Sequence, residues 1–207
     1  MSPERKAALI EACADAIDDA AETLTALDQA IGDGDHGLNM RRGFQAVRDQ
    51  KEEFAALPLG QLLQKAGMTL VMKVGGASGP LYGSLFMAMG KAVPDAAGGQ
   101  DVATMLAAGI AAVKARGKAD AGEKTMLDVL VPVQEALQAE LAAGHDRAAL
   151  LQALKAKAAA AAEATKDLKA TKGRASFLGE RSVGHVDPGA RSSALLIATL
   201  CDQLARS

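Results

Sequence analysis

Three observations predict an all-α fold for this chain of 207 residues. Ala, Leu, Met, Glu, Lys and Gln dominate the sequence, and these residue types favour helices. Aromatic residues make up only 2% of the chain, and no run shows the period-two alternation of a strand. Glycines and prolines recur between the apolar-periodic segments and divide the chain into pieces of helical length.

The periodicity and the breakers together predict about eight helices. They span approximately residues 3–30, 38–55, 59–73, 80–93, 100–116, 125–143, 146–170 and 188–205. The breakers between them are Pro58, Gly75-Gly76, Pro94 with Gly98-Gly99, Gly117 with Gly122, Gly144, Gly173 with Gly179, and Pro188. Since no repeat and no domain boundary stand out, residues 1–207 are predicted to form a single domain.

The first helix carries an apolar stripe that ends in a carboxylate. Ile10, Ile17 and Leu24 form the stripe. Asp28 follows Ile10 by about five helical turns, so its side chain is predicted to lie on the same, buried side. A buried carboxylate is costly unless it is paired or bound to a metal ion.

The composition excludes several classes of protein. The formal net charge is −2, and no basic patch is interleaved with aromatic residues, so a nucleic-acid surface is not expected. Tryptophan is absent, so a flat ring would have to be held by aliphatic or Met side chains. No apolar run approaches the roughly 18 residues of a membrane span, and no membrane association is expected.

The termini and the cysteines indicate a cytoplasmic protein. Ser2 suits an N-cap and Pro3 a first helical position, so the N-terminus resembles a helix start rather than a signal peptide. Cys13 and Cys201 fall in apolar-periodic segments near opposite ends of the chain. They are predicted to be buried free thiols, which suits a reducing compartment.

The most informative segment is an acidic loop. Asp28, Asp33 and Asp35 fall within eight residues, and His36 follows directly. Carboxylates this close repel one another unless a cation lies among them. Hard divalent cations bound through oxygen are the simplest remedy, so the segment is a candidate metal site.

Three known motifs do not fit this loop. Gly32, Gly34 and Gly37 match the spacing of a dinucleotide fingerprint, but the preceding segment is helical and two intervening residues are acidic. An EF-hand counted from Asp33 would need a carboxylate where Phe44 stands. No Walker A sequence occurs. A solvated acidic turn remains the structural alternative.

Four further segments allow both a structural and a ligand-binding interpretation. Residues 75–83 are a tight turn, or a phosphate site at a helix N-terminus that includes Ser78. Thr125 is a helix cap, while the adjacent Met126 could cover a purine. Residues 172–181 are a solvated basic connection or a phosphate contact. Residues 187–189 are an N-cap turn or a sugar contact.

The three histidines are scattered along the chain. His36 lies inside the acidic loop, where a ligand contact is favoured over a core role, whereas His145 and His185 lie in separate turns. No Ser/His/Asp order, CxxC or HExxH pattern appears, so hydrolase and zinc interpretations lack support.

Taken together, five segments resemble the L-subunit family of dihydroxyacetone kinase, the nucleotide-binding half of that enzyme. They are Asp28-x4-Asp33-Gly34-Asp35-His36-Gly37-x-Asn39-Met40, Gly75-Gly76-Ala77-Ser78-Gly79-Pro80-Leu81-Tyr82-Gly83, Gly122-Glu123-Lys124-Thr125-Met126-x-Asp128, Gly173-Arg174-Ala175-Ser176 and Gly184-His185-x-Asp187-Pro188-Gly189-Ala190. The resemblance spans approximately residues 5–205. One departure is Glu123, where Asp is common.

The resemblance implies a closed barrel of about eight antiparallel amphipathic helices with ADP or ATP at one end. It implies that Asp28, Asp33 and Asp35 hold two Mg²⁺ ions that bridge the phosphates. The nucleotide contacts it implies are His36, Gly37, Leu38 and Asn39 along the nucleotide, Ala77 and Ser78 at phosphate, Gly117 and Met126 near the base, and Arg174, Asp187, Pro188 and Gly189 around the rest of the site.

The resemblance also implies a phosphotransferase that is active only with partner subunits. A separate K subunit would hold dihydroxyacetone on a histidine, and a phosphohistidine M subunit would rephosphorylate ADP from phosphoenolpyruvate. In the alternative route K and L are fused and ATP exchanges as a substrate. A free-standing L chain favours the relay route.

Several alternatives stay open at this point. The chain could serve a kinase for a related ketose such as erythrulose. It could be a nucleotide-sensing module that docks on a transcription regulator. Fatty-acid-kinase nucleotide domains share the acidic loop but resemble this chain less after the first motif. A homodimer is also expected.

Overall fold

The computed structural model describes residues 1–94 and 99–206, and in these ranges the chain contains helices and no strand. The all-α prediction is confirmed. The α-helices are α1 (Pro3–Asp19), α2 (Ala21–Ile31), α3 (His36–Arg48), α4 (Lys51–Ala56), α5 (Leu59–Lys73), α6 (Ser78–Lys91), α7 (Gly99–Gly117), α8 (Leu127–Ala143), α9 (Arg147–Ala164) and α10 (Pro188–Ala205). Two 3₁₀ segments span Thr165–Asp167 and Arg174–Ser182.

The order of neighbouring helices closes on itself. Helices α5 to α10 each pack on the next one along the chain. Helix α10 then packs on α1, α1 on α3, and α3 on α5, while α4 lies against α1 and α5. The predicted barrel requires this cyclic order of neighbours, and its remaining geometry stays a prediction.

The core forms two apolar clusters between these helices. The larger one draws mainly on α1, α3, α5 and α6 and contains Tyr82 and Phe54, both 2% exposed. The smaller one lies among α8, α9 and α10 and contains small residues such as Ala158 and Ala162, which are fully buried. These alanines let α9 approach its neighbours closely.

The predicted helix 3–30 is wrong in one respect, because it is interrupted at Ala20. The backbone of Ala20 has ψ near zero, although its amide still bonds to Ala16 O and its carbonyl to the amide of Leu24. Past this point α2 lies very close to α3, since a Cβ added to Gly37 would stand 1.9 Å from Ala21 O. This close packing depends on the tertiary structure, and no breaker residue in the sequence predicts it.

Two other predicted helices are shorter than expected. The helix 38–55 is interrupted at residues 49–50, and the helix 146–170 ends as an α-helix at Ala164. There Thr165 is buried and its hydroxyl accepts the amide of Asp187 at 2.9 Å, which draws the chain into a tighter turn. Gly98, one of the predicted breakers, lies outside the described residues.

Local signals in the sequence are confirmed at several helix ends. Ser2 accepts the amide of Arg5 at 3.4 Å, and Pro3 opens α1.

Both cysteines are free: Cys201 is buried and Cys13 partly so, and burial raises the pKa of the Cys13 thiol to about 12. Among the described residues, no helix is long and apolar enough to cross a membrane.

Candidate functional site

One cavity of about 710 Å³ gathers most of the predicted site residues. Its volume is in the range of small-molecule sites. The predicted residues that line it are Asp28, Asp33, Asp35, His36, Ala77, Ser78, Gly117, Met126, Arg174, Asp187, Pro188 and Gly189. They come from six separate stretches of the chain, so the tertiary structure assembles the segments that the sequence singles out.

The three acidic side chains of the loop meet at this cavity. One carboxylate oxygen each from Asp28, Asp33 and Asp35 lies within 4.8 Å of the others; we call this set the aspartate cluster. Asp28 is 9% exposed, as its position on the apolar stripe predicts, whereas Asp33 and Asp35 are exposed. Three carboxylate oxygens at this spacing form a donor set that suits Mg²⁺.

The orientation of Asp28 is fixed by the backbone around it. Its Oδ2 accepts the amides of Asp35 at 2.8 Å and His36 at 3.1 Å, which ties the end of α2 to the start of α3. A Cβ added to Gly32 would stand 2.1 Å from Asp28 Oδ1. Gly32 therefore has to be glycine for this carboxylate to fold back over the chain.

An arginine from a distant segment stands beside the aspartate cluster. Arg174 opens the second 3₁₀ segment, and its Nε lies 2.7 Å from Asp33 Oδ2. Both side chains are well exposed, so this ion pair contributes little to stability. A guanidinium in this position can also reach the oxygens of a bound phosphate.

Three helices begin at the cavity. The first residues of α3, α6 and α10 are His36, Ser78 and Pro188, and all three line it. The amides of a first helical turn lack intrahelical acceptors and carry partial positive charge, so converging N-termini favour an anion such as phosphate.

Three predicted contacts do not line the cavity with the rest. Gly37 is buried against α2, Leu38 is 50% exposed, and the Oδ1 of buried Asn39 accepts a hydrogen bond from Arg42 at 2.7 Å. All three lie in the first turn of α3. Gly37 has no side chain, so it can contribute to a ligand site only through its backbone.

His36 lies in a buried network of hydroxyl groups. Its Nδ1 is 3.0 Å from Ser78 Oγ, and its Nε2 is 2.9 Å from Ser192 Oγ. The Tyr82 hydroxyl lies 2.8 Å from Ser192 Oγ and 2.9 Å from Ser193 Oγ. Burial lowers the pKa of His36, against the opposing effect of nearby carboxylates, and burial raises the pKa of Tyr82 to about 12.

A buried lysine holds another part of the cavity wall together. Lys124 is 1% exposed, and its Nζ donates to Thr165 O and His185 O, both at 2.5 Å. Burial lowers the pKa of Lys124. Three nearby carboxylates oppose this change, and Asp187 has the largest effect among them. The residue has φ +61°, a left-handed conformation that its buried contacts stabilise.

Two aspartates next to Lys124 have their oxygens committed to backbone amides. Asp187 caps α10 by accepting the amide of Ala190 at 2.7 Å, and Asp128 accepts the amides of Gly122 and Thr125. Burial raises the pKa of Asp187 to about 7. We call Lys124, Asp128, Thr165 and Asp187 the Lys124 cluster.

Thr125 lies one residue before Met126, the N-cap of α8, so the predicted cap is off by one position, and Glu123 has defined hydrogen-bond partners. Thr125 Oγ1 accepts the amide of Leu127 at 3.1 Å. Glu123 accepts the amide of Asp120 at 2.7 Å and the hydroxyl of Thr171 at 2.9 Å. Glu123 thereby joins the loop before α8 to the segment that carries Arg174.

An apolar slot forms one side of the cavity. Met126 is 4% exposed, and a Cβ added to Gly117 would stand 3.3 Å from Leu81 Cδ2. Four further aliphatic residues line the same cavity and were not among the predicted contacts: Ile31, Leu81, Val113 and Ala119. Their helical spacing is the same as that of core residues, so only their place in the fold distinguishes them.

An all-α domain with clustered carboxylates and converging helix N-termini at one cavity belongs to the class of proteins built to receive a phosphorylated ligand with metal ions. Within that class the chain belongs to the DAK2 domain family, whose model matches residues 30–202.

Two similar proteins align with most of the chain. It is 50% identical over 176 residues to the ADP-binding subunit DhaL of PEP-dependent dihydroxyacetone kinase 1 of Listeria innocua serovar 6a, covering 84% of this chain and 83% of that protein. It is 43% identical over 190 residues to the ADP-binding subunit DhaL of the PEP-dependent dihydroxyacetone kinase of Escherichia coli K12, covering 91% and 90%.

A solved structure supports the same relationship. The dihydroxyacetone kinase of C. freundii in complex with AMP-PNP and Mg²⁺ matches with a TM-score of 0.73 and 30% sequence identity. The match covers 95% of this chain and 33% of that one, so it concerns one part of a longer kinase.

Proposed function

We propose that the chain is the nucleotide-binding subunit of a dihydroxyacetone kinase. It binds ADP and ATP with two Mg²⁺ ions and passes a phosphoryl group to dihydroxyacetone held on a separate K subunit. A phosphohistidine M subunit then rephosphorylates the bound ADP from phosphoenolpyruvate. The named relatives support this assignment, since they are ADP-binding subunits of kinases of this kind.

One observation carries the proposal: the aspartate cluster lies at a cavity where three helices begin. Carboxylate oxygens within 4.8 Å of one another repel strongly, and cations relieve the repulsion. The helix N-termini favour the phosphates, and the apolar slot beside Met126 suits the base. The whole lining therefore matches a nucleotide with its charged end at the aspartate cluster.

Phosphoryl transfer requires the protein to position the phosphate and to neutralise its charge. When bound at Asp28, Asp33 and Asp35, Mg²⁺ supplies positive charge to the phosphate oxygens. Arg174 adds a guanidinium from the second 3₁₀ segment, and Ser78 contributes a hydroxyl at the start of α6. These groups orient the terminal phosphate without a Walker A loop.

The placement of the histidines supports a separate ketone-binding subunit. His36 uses both ring nitrogens within the buried network. His145 is exposed and pairs with Glu140 at 2.5 Å, and the exposed His185 gives its carbonyl to Lys124. None of the three is free in the cavity to trap a ketone, so the chain alone is expected to form no dihydroxyacetone phosphate.

The binding step is tested by thermal melting and native mass spectrometry. ADP with Mg²⁺ should raise the melting temperature, with about 2.7 kcal/mol of stabilisation at a hundredfold excess over Kd. ADP with EDTA should raise it far less, and the complex should carry two Mg²⁺. Equal shifts with and without Mg²⁺ would contradict a phosphate-bridging metal site.

The donor route is tested by reconstitution with K and M subunits. Phosphoenolpyruvate with the relay proteins should sustain turnover, whereas free ATP should support about one turnover per bound nucleotide. Equal turnover from free ATP would assign the chain to the exchange-type kinases. Turnover of erythrulose in place of dihydroxyacetone would change the substrate assigned to the partner.

Three further parts of the proposal have their own tests. Analytical ultracentrifugation checks the expected homodimer, and co-purification checks whether a transcription regulator binds instead of a K subunit. A cytoplasmic location is also proposed, since the two free cysteines suit a reducing compartment, and cell fractionation tests it.

A further inference from the structure

A line of four hydrogen-bonding side chains runs beneath the cavity and ends at Ser78. It begins at the Tyr82 hydroxyl, which lies 2.8 Å from Ser192 Oγ. Ser192 Oγ lies 2.9 Å from His36 Nε2, and His36 Nδ1 lies 3.0 Å from Ser78 Oγ. Tyr82, Ser192 and His36 are at most 6% exposed, so water does not compete for the bonds among these three residues.

The tautomer of His36 decides what Ser78 offers to a ligand. A neutral imidazole donates from one nitrogen and accepts at the other. With the proton on Nδ1, His36 donates to Ser78 Oγ, and the hydroxyl hydrogen of Ser78 is free to donate into the cavity. With the proton on Nε2, Ser78 must donate to Nδ1, and only its lone pairs face the cavity. Phosphate oxygens are acceptors, so they require the first arrangement.

The distances favour the proton on Nδ1. In that arrangement Tyr82 donates to Ser192, and Ser192 donates to His36 Nε2. The competing acceptor for Ser192 is the carbonyl of Gly189, which lies 3.1 Å from Ser192 Oγ. The competing acceptors for the Tyr82 hydroxyl are Ser193 Oγ at 2.9 Å and the Gly189 carbonyl at 3.3 Å, both farther away than Ser192 Oγ at 2.8 Å. Gly189 lies in the first turn of α10, where helical geometry supplies its carbonyl with the amide of Ser193.

We propose that Tyr82 and Ser192 are positioning residues that fix the proton of His36 on Nδ1. They thereby keep the Ser78 hydroxyl as a hydrogen-bond donor to a phosphate oxygen of the nucleotide. Hydrogen bonds that all run in one direction reinforce one another, which strengthens the donor at the cavity end. This inference rests on the proposed function, because it takes the nucleotide phosphate as the ligand at Ser78.

The chain offers a matched control in the next residue of α10. Ser193 is 2% exposed, and its Oγ lies 2.9 Å from the same Tyr82 hydroxyl. Ser192→Ala and Ser193→Ala therefore each remove a buried hydroxyl bonded to Tyr82. Only Ser192→Ala removes a bond to His36, so a purely structural role predicts similar effects from both, and a positioning role does not.

The first test reads the His36 tautomer by ¹⁵N NMR in the protein without nucleotide. The chain has three histidines, so His145→Gln and His185→Gln variants assign the signals. Wild type and Ser193→Ala should show a protonated Nδ1, and Ser192→Ala should shift the population towards a protonated Nε2. A protonated Nε2 in wild type, or an unchanged tautomer in Ser192→Ala, would overturn the inference.

The second test measures ADP affinity with Mg²⁺ by calorimetry. Ser192→Ala should bind about tenfold more weakly, an effect that one lost hydrogen bond to a charged oxygen explains, while Ser193→Ala stays within about twofold of wild type. In a Ser78→Ala background the further loss from Ser192→Ala should be less than about twofold, because the effect passes through Ser78.

The outcomes separate the inference from the proposed function. Equal losses in Ser192→Ala and Ser193→Ala, or a full loss that persists without Ser78, would overturn the positioning role. A wild-type chain that binds no ADP with Mg²⁺ would overturn the proposed function and with it the phosphate role of Ser78, and the tautomer measurement would still identify the direction of the hydrogen bonds.

Discussion

The aspartate cluster and the Lys124 cluster both reach the same cavity, the second through Lys124 and Asp187, but their carboxylates have different surroundings. Asp33 and Asp35 are exposed, and the ion pair of Asp33 is with the exposed Arg174. Asp128 and Asp187 are buried, accept backbone amides and lie near the buried ammonium of Lys124. The carboxylates of the Lys124 cluster are enclosed in the fold, whereas Asp33 and Asp35 are open to a ligand.

The contrast separates carboxylates that can bind a ligand from carboxylates that support the fold. In the sequence both sets look alike, as aspartates near glycines and helix ends. In the structure, burial near the Lys124 ammonium distinguishes Asp128 and Asp187 from the exposed Asp33 and Asp35, while Asp28 is buried and accepts two backbone amides. We therefore expect changes in the Lys124 cluster to alter stability and changes in the aspartate cluster to alter binding and turnover.

The largest effect on stability is expected from Lys124→Met. The variant leaves buried carboxylates without their cation, which typically costs about 3–5 kcal/mol of unfolding free energy. Urea denaturation at pH 7.5 measures it. Lys155→Met is the control, because Lys155 pairs with Asp202 on the exposed surface and should change stability by about 1 kcal/mol or less. Similar costs in both variants would contradict the structural role of Lys124.

The largest effect on function is expected from Asp35→Ala. Turnover in the reconstituted kinase should fall by more than about 100-fold, since even groups that only orient a metal ligand cost 10–100-fold. The urea midpoint should stay near wild type, because Asp35 is exposed and its charge repels its neighbours. Asp15→Ala, which removes a surface partner of Arg48, should keep full activity.

The other two aspartates sharpen this prediction. Asp33→Ala should lose turnover in the same way without losing stability. Asp28→Ala should lose both, because its carboxylate also accepts the amides of Asp35 and His36. Full activity of any of the three variants at saturating Mg²⁺ would remove that residue from the proposed ligand set.

A medium effect is expected from the pH dependence of Asp187. Burial raises its pKa to about 7, above the unfolded value of about 3.9. The native state therefore binds the proton more tightly, so this contribution to stability is complete below about pH 4 and is lost as the pH rises through 7. The slope is at most about 1.4 kcal/mol per pH unit.

Asp187→Asn tests this prediction, because Asn keeps the N-cap of α10 without a titrating group. Its unfolding free energy, measured by urea between pH 4.5 and 7.5, should fall less steeply with pH than that of wild type. Parallel profiles for the two proteins would show that Asp187 does not titrate in this window.

The smallest effect on stability is expected from Arg174→Ala. Its ion pair with Asp33 is exposed, so the unfolding free energy should change by about 0.5 kcal/mol or less. ADP affinity should nevertheless fall, because Arg174 is proposed to reach the phosphates. Arg181→Ala, a change in the same 3₁₀ segment outside the cavity lining, should leave affinity unchanged.

The fold class, most helix positions and the segments that meet at the cavity could be predicted from the amino-acid sequence. Its signals here are local: the apolar stripe that buries Asp28, the caps at Ser2 and Asp187, and the acidic loop before α3. Twelve of the fifteen predicted site residues line the cavity, and their roles as ligands stay predictions.

The positions where helices bend and the buried groups that support the site depend on packing between distant parts of the chain. The break at Ala20 follows from the approach of α2 to α3, and the end of α9 from the buried Thr165. The bonds of Lys124 reach residues 41 and 61 positions away, and the line from Tyr82 to His36 passes through α10. These partners are distant in sequence. A local sequence pattern shows the residue type, but it does not show which donor or acceptor lies against that residue in the folded protein.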